Sequence, residues 1–402
     1  MARDFDLVVF GATGFTGKLV AEYIAKHGTG TRWAIAGRTQ SKLEALGLDV
    51  PILIGDALDR AAMDRIAART RVVCTTAGPY AKFGHALVAA CADAGTHYCD
   101  LTGEVQFMRR SIDANHARAI ETGARIVHTC GFDSIPSDLG TYLLQQTMVR
   151  KFGHPATSVT ALFGESSGGL SGGTVASAMN IAEEAGRDRD VRRLLANPYA
   201  LDPDPTAPRP PAPDERSIKW DSGMKLFTVP FLMAQVNTRV VRRAHALAGF
   251  PWGPEFRYRE VMSTPGSARG LAMAVGVTAG LAGIALAMAN PTLRNLLAKR
   301  VPQPGEGPSE EKRTHGYWKL RLVGERAVDG SMQRLVYIAG DRSGDPGYGS
   351  TAKMLGESAL CLANDALTSP GGVQTPSIAM GDALATRLRA AGLTFAAEGG
   401  ES

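Results

Sequence analysis

Residues 6–20 read DLVVFGATGFTGKLV: an apolar run of strand type, three glycines spaced three apart, then an amphipathic pattern. Few backbones satisfy that order. Gly11 lets the chain leave the strand in a tight turn, and Gly14 lets a backbone approach a pyrophosphate. Gly17 lets the following helix pack against the sheet, and the first-turn N–H groups of that helix lack intrahelical acceptors and face the anion. The pattern predicts a dinucleotide cradle made by Gly11, Thr13, Gly14, Phe15, Thr16 and Gly17.

The second strand closes as AIAGRTQSK. A site for a free ribose 2′-hydroxyl places Asp or Glu here, whereas Arg38, Thr39 and Lys42 suit a 2′-phosphate that a carboxylate would repel. The expected cofactor is therefore NADP(H) rather than NAD(H). Asp56 and Ala57 follow the third strand, where they either meet the adenine or close a loop. Thr76, Ala77, Gly78 and Pro79 follow the fourth strand, and their small side chains let a cofactor cross the carboxyl ends of the strands. Tyr80 comes next, either beside the nicotinamide or as packing.

The first 150 residues alternate strand and helix. Strands are expected at Leu7–Phe10, Trp33–Ala36, Pro51–Ile54, Val72–Thr75, His97–Cys99 and Arg125–His128. Helices lie between them, for example Lys18–Lys26 before Gly28 and His85–Asp93 before Gly95. Parallel strands need crossovers, so the fold class is α/β, a Rossmann-type doubly wound parallel sheet. A chain of 402 residues has room for more. A second, mixed α+β domain is expected at 151–345, inserted before C-terminal helices at 346–402 that return to the first domain. Within it, 157–163 read as a strand and 174–196 as helix. The stretch 198–216, with seven prolines between Pro198 and Pro213, reads as a surface loop, as does 301–313. GYWKLRLVGE and QRLVYIAGD read as a hairpin turning at Asp329–Gly330, and 350–367 and 377–391 as helices.

Net charge is +5, with no basic block interleaved with aromatics, which argues against a nucleic-acid partner. The five cysteines are odd in number and form no C-x-x-C, and MARDFDLVVFG has no basic-then-apolar leader. Both predict a reduced, cytoplasmic protein. No tyrosine is followed four residues later by lysine, and neither His-Glu-x-x-His nor G-x-S-x-G occurs. Hydride transfer without a Tyr–Lys pair or a metal remains. Two clusters sit at strand ends: DLTGE (100–104), and CGFDSIPSD (130–138), where Ser137 and Asp138 read as helix caps and Asp133 as the better contact for cofactor or substrate. Tyr80, Asp133 and Tyr348 are the candidate proton donors or orienters, with solvent as the alternative.

FGATGFTG, AGR, AGPY, ACADAGTHYCDLTGE and GFDSIPSD, in this order, together with YGSTAKMLGESALCLA and GGVQTPSIAMGDALATRLRAAGLTF, resemble the saccharopine dehydrogenase-like family. The chain length, SGGTVASAMN (171–180) and a long apolar segment look most similar to its actinobacterial branch of trans-acting enoyl reductases. The resemblance implies a chain that leaves the nucleotide domain near 130–150 and returns at the end. It also implies reduction of a carbon–carbon double bond in a polyketide-derived or other lipid, as a small molecule or on a carrier. Two other readings stand beside it: a lipid-associated NADP-binding protein without turnover, and an amino-acid imine reductase.

GLAMAVGVTAGLAGIALAMA, residues 270–289, is uncharged, and the uncharged run continues to Leu293. Twenty helical residues reach about 30 Å, enough to cross hydrocarbon. Its Ala and Gly contribute little to insertion, and basic residues lie on both sides. Three readings remain open: an interfacial or lipid-facing helix on the inner face of the cell membrane, a buried core or homodimer helix, and a span.

Overall fold

The computed structural model describes residues 3–167, 172–298 and 309–399. In chain order the strands are β1 (Phe5–Phe10), β2 (Trp33–Gly37), β3 (Ile52–Ile54), β4 (Thr70–Thr75), β5 (His97–Asp100) and β6 (Arg125–Val127). There follow β7 (Ser158–Ser167), β8 (Lys219–Asp221), β9 (Leu226–Pro230), β10 (Arg257–Pro265), β11 (Tyr317–Val328), β12 (Ser331–Asp341), β13 (Gly372–Gln374) and β14 (Thr394–Ala397). The first sheet runs β3-β2-β1-β4-β5-β6-β13 and is parallel throughout. That is the Rossmann order, with the switch point between β1 and β4. Alternation in β1 explains the doubly wound form. Leu7 and Val9 enter one hydrophobic core while Val8 and Phe10 enter another, and all four are buried. A strand apolar on both faces needs helices on both.

The second sheet runs β14-β12-β11-β7-β10-β9-β8, with β7 and β10 parallel and the other neighbours antiparallel. β11 and β12 form the expected hairpin. Asp329 (φ 49°) and Gly330 (φ 78°) both take the left-handed region that a two-residue primed turn requires.

The two sheets divide the chain otherwise than the sequence suggests. Helix Ile135–Phe152 already covers the second sheet, where Gly140 lies under Leu322 and Gly324 under Leu144. The crossover therefore comes at about residue 135, inside the expected 130–150 interval and ahead of the boundary at 150. The C-terminal part serves both sheets. Helix Gly349–Asn364 packs on helix Phe15–His27, so closely that a Cβ on Gly356 would lie 2.5 Å from the Tyr23 ring. β13 then extends the first sheet, helix Pro376–Ala390 packs on Ile135–Phe152, and β14 extends the second.

The proline-rich stretch 198–216 is only partly a surface loop. Ala200, Leu201 and Asp202 are buried, and buried arginines hold their carbonyls. Arg109 donates to Asp202 O at 2.8 Å, Arg243 to the carbonyls of Leu201 and Val373, and Arg242 to Pro198 O at 2.9 Å. Arg239 pairs with Asp214. Prolines donate nothing, so their segment offers free carbonyls, and guanidinium donors satisfy them at about 1.5–3 kcal/mol per charged hydrogen bond.

Residues 270–290 are not a buried core helix of this chain. In helix Ala268–Ala289 only Gly270 and Ala274 are buried. Nor does the helix fit a single crossing, because β10 before it and β11 after it both pair with β7 in one sheet. Of the second expected loop, 301–308 lie outside the described residues, as does Ser171 of the SGGTVASAMN motif.

Candidate active site

The cradle is built from backbone. Gly11 (φ 82°) leaves β1, its N–H donating to Ala36 O at 2.9 Å, and Gly14 N donates to Gly11 O at 3.0 Å. Gly14 caps helix Phe15–His27 without a side chain, so nothing of its own covers the first-turn N–H groups at Phe15, Thr16 and Gly17. A Cβ on Gly17 would stand 2.2 Å from Gly11 O and 2.6 Å from Thr76 Oγ1. A Cβ on Gly14 would meet nothing closer than 3.4 Å, which keeps that face open to a ligand. Thr76 Oγ1 donates to Gly11 O at 3.1 Å, seaming the β1 and β4 turns, with Ala77 against Gly11. Gly78 and Pro79 continue along the same strand ends.

Arg38, Thr39 and Lys42 are exposed at the end of β2, and Thr13 is exposed on the cradle. Arg38 Nη1 lies 4.0 Å from Asp56 Oδ2, and Asp56 Oδ1 accepts the Leu58 N–H at 2.9 Å. Ala57 is buried behind them. Two cations and one carboxylate leave a positive surface for a 2′-phosphate.

The three acid–base candidates part company. Tyr80 faces the wrong way: it is buried, its hydroxyl donates to Thr75 O at 3.2 Å, its ring packs on Phe107, and burial pushes its phenol well up. It is a packing residue, because the turn that carries it is tied down from below. Glu104 accepts the Tyr80 N–H (2.8 Å), the Ala81 N–H (3.0 Å) and Ser177 Oγ (2.8 Å). The DLTGE cluster is thus a frame: Asp100 likewise accepts from Tyr98 Oη, Thr102 N and Thr129 N and contacts His128 Nδ1 at 2.7 Å.

Tyr348, fully buried, lies just ahead of helix Gly349–Asn364 and stands edge-on to Phe15 at 4.8 Å. Arg313 lies over the same Phe15 ring at 5.5 Å. The second domain therefore brings a cation to the cradle that sequence reasoning did not select.

Asp133 lines a small cleft with Phe132, Phe163, Phe231, Asn237 and Glu260. Burial among these rings pushes its carboxyl up to about 6. Phe132 N donates to Thr351 Oγ1 at 3.3 Å, three residues past Tyr348, so the N-terminal turn of helix Gly349–Asn364 bridges cradle and cleft.

Glu260 was missed. It is buried on β10, and desolvation pushes it up to about 7 against its hydrogen bonds. Asn237 Nδ2 donates to Oε1 at 2.8 Å and Tyr258 Oη to Oε2 at 2.9 Å, while Ser134 Oγ donates to Asn237 Oδ1 at 2.8 Å. The signal was its place at an inward position of β10, two residues after buried Tyr258. Asp138, read as a cap of its own helix, instead accepts Ser377 N and Oγ, both at 2.8 Å, at the start of helix Pro376–Ala390.

Residues 7–127 match the family model described as the saccharopine dehydrogenase NADP binding domain. The chain is 43% identical over 411 residues to a Mycobacterium tuberculosis protein that carries the name trans-acting enoyl reductase provisionally, covering 98% of this chain and 97% of the relative. It is 39% identical over 419 residues to the trans-acting enoyl reductase of Mycobacterium bovis, with 98% and 97% covered. Among solved structures, apo saccharopine dehydrogenase (L-Glu forming) from Saccharomyces cerevisiae is similar at a TM-score of 0.57 and 13% identity, over 98% of this chain and 99% of that one. The last likeness is one of fold.

Proposed function

The chain belongs to the trans-acting enoyl reductase family, an NADP-dependent oxidoreductase lineage, and from that premise we propose that it reduces the carbon–carbon double bond of an enoyl thioester of polyketide or lipid origin, held on a carrier. NADPH, when bound, supplies the hydride that reaches the β-carbon. In this reading Gly11, Thr13, Gly14, Phe15, Thr16 and Gly17 hold the pyrophosphate, and Arg38, Thr39 and Lys42 the 2′-phosphate. Asp56 and Ala57 border the adenine, and Thr76, Ala77, Gly78 and Pro79 the inner ribose.

Asp133 delivers the proton to the α-carbon. The observation that carries this role is a carboxyl set at about 6 inside an aromatic cleft joined to the cradle through Thr351. At pH 7 about one tenth of it is protonated, enough for a general acid near its working range. Tyr348 orients Phe15 rather than moving a proton. Among the described residues the cleft lining carries two carboxyls and no cation, which opposes an amino-dicarboxylate substrate and favours an uncharged enoyl group. The same reading puts the protein in the cytoplasm, where its five buried, unpaired thiols stay reduced, beside the inner membrane face that holds long acyl chains.

The test is NADPH oxidation with enoyl thioesters of increasing chain length. Consumption that rises with chain length supports the reading; none at any length overturns it.

A further inference from the structure

Helix Ala268–Ala289 has a mean hydropathy of 2.1 over its most apolar 18 residues, yet only 6% of that window is buried. Leu271, Met273, Val275, Ile284 and Leu286 are exposed, as are Leu293 and Leu296 on the following helix, Pro291–Ala298. Near the root, Gly270, Ala274, Val277, Thr278 and Leu281 keep to one covered stripe, and beyond it the helix stands open. From Ala279 to Leu286 every residue but Leu281 is exposed, whichever side of the helix it occupies. A neighbouring protein surface covers one stripe of a helix, whereas hydrocarbon surrounds it.

The helix is firmly rooted. A Cβ on Gly270 would overlap Pro265 O at 1.8 Å, and the Ser267 side chain accepts the Gly270 N–H. Around this root stand groups suited to a headgroup layer. Trp220, 51% exposed, and Lys225 both abut Gly266, and exposed Arg269 lies in the first turn. Arg294 carries a charge at the far end, its Nη1 donating to Met288 O. Arg269 and Lys225 form no ion pair among the described residues, whereas the acids close by are neutralised. Asp221 pairs with Arg259, and on the touching helix Gly172–Arg187, Glu183 pairs with Arg187 and Glu184 with Arg110.

We infer that Ala268–Ala289, with Pro291–Ala298, is a monotopic arm that sinks into one leaflet of an anionic lipid bilayer. Its 22 residues span about 33 Å. One leaflet's hydrocarbon is about 15 Å deep, so the arm lies along the leaflet instead of standing through it. That pose keeps both cationic ends at the headgroups and returns the chain to the β7 sheet on the side it left. Docking and catalysis are separable, because neither end of the arm lines the cleft of Asp133.

The test is flotation of the purified full chain with vesicles of phosphatidylcholine alone or mixed equally with phosphatidylglycerol. The expected result is binding to the mixed vesicles, weakened by salt and by R269E. Binding should fall at least about tenfold in the double variant I284E/L286E, while NADPH affinity, read by fluorescence, is unchanged. Absence of wild-type flotation, equal binding to neutral vesicles, or undiminished binding of I284E/L286E overturns the inference. So does a wild-type dimer in sedimentation velocity that the double variant splits without any vesicle binding, because a second copy then covers the arm.

Discussion

Replacing Asp133 by Asn should make the protein more stable and less active, and the size of the first effect follows from the cleft. Burial among Phe132, Phe163 and Phe231 raises this carboxyl from its ordinary 3.8 to about 6. The folded state therefore resists ionisation that the unfolded chain accepts freely. The sign is that of a raised acid. Asp133 costs nothing below about pH 3.8, and its cost grows as pH rises, levelling above about 6. A gap of about two pH units corresponds to about 3 kcal/mol at ~1.4 kcal/mol per unit. Asn is nearly isosteric and uncharged, so Asp133→Asn should match the wild type in urea unfolding near pH 3.5. It should gain roughly half the full amount at pH 5, and up to about 3 kcal/mol at pH 8. Taking the difference between variant and wild type at each pH cancels every other titrating group. Turnover of an enoyl thioester should fall about 100-fold or more, the usual worth of a positioned general acid. A stability difference flat with pH would refute the desolvation argument, and undiminished turnover would hand the proton to solvent.

Three further outcomes follow from the same geometry. Arg38→Ala removes an exposed guanidinium whose one close carboxylate among the described residues is 4.0 Å away, so the fold should not notice. NADPH should bind about 10–100-fold more weakly and NADH unchanged in fluorescence titration; equal loss for both would contradict a 2′-phosphate site. Gly17→Ala forces a methyl to 2.2 Å from Gly11 O and should abolish cofactor binding while costing about 1–3 kcal/mol, read by calorimetry with and without NADPH. Glu260→Gln can keep the Asn237 and Tyr258 contacts while removing a group set at about 7. It should erase the pH–rate limb near 7 and leave NADPH affinity intact; an unaltered limb would show that Glu260 does not titrate in the reaction.

The parts legible in the sequence are those whose physics is local. The glycines at 11, 14 and 17 declare the β1 turn because a few consecutive dihedrals and close approaches fix it. Asp329–Gly330 declares the hairpin for the same reason. Burial of the first sheet on both faces is visible in LVVF, residues 7–10, whose odd and even residues are both apolar. β13 and β14, at three and four residues, are too short to show a period, and partners far along the chain alone make them strands. RVVRRAHAL looks like the polar face of a surface helix. It is buried because the proline segment 198–216 supplies carbonyls that Arg242 and Arg243 satisfy.

The candidate site divides along the same line. The cradle and Arg38 lie in one βαβ unit, so Arg38 could be chosen from spacing alone. The site's acid half sets Asp133, from the loop after β6, in one cleft with Glu260 on β10 and with Asn237 on helix Ala234–Leu247, which bonds Glu260. No sequence window contains all three. The raised proton affinities of Asp133 and Glu260 arise from burial, a property of the assembled cleft and of none of the segments. Tyr80 shows the converse. Its position after Gly-Pro looked catalytic, but Glu104, held at the end of β5, binds the Tyr80 and Ala81 N–H groups and turns the ring inward. A carboxylate that anchors a backbone turn and one left desolvated in a cleft are both plain acidic residues in the sequence. What distinguishes them is the count of donors each meets once the chain has closed, three for Glu104 and, for Asp133, desolvation alone as the force on its proton.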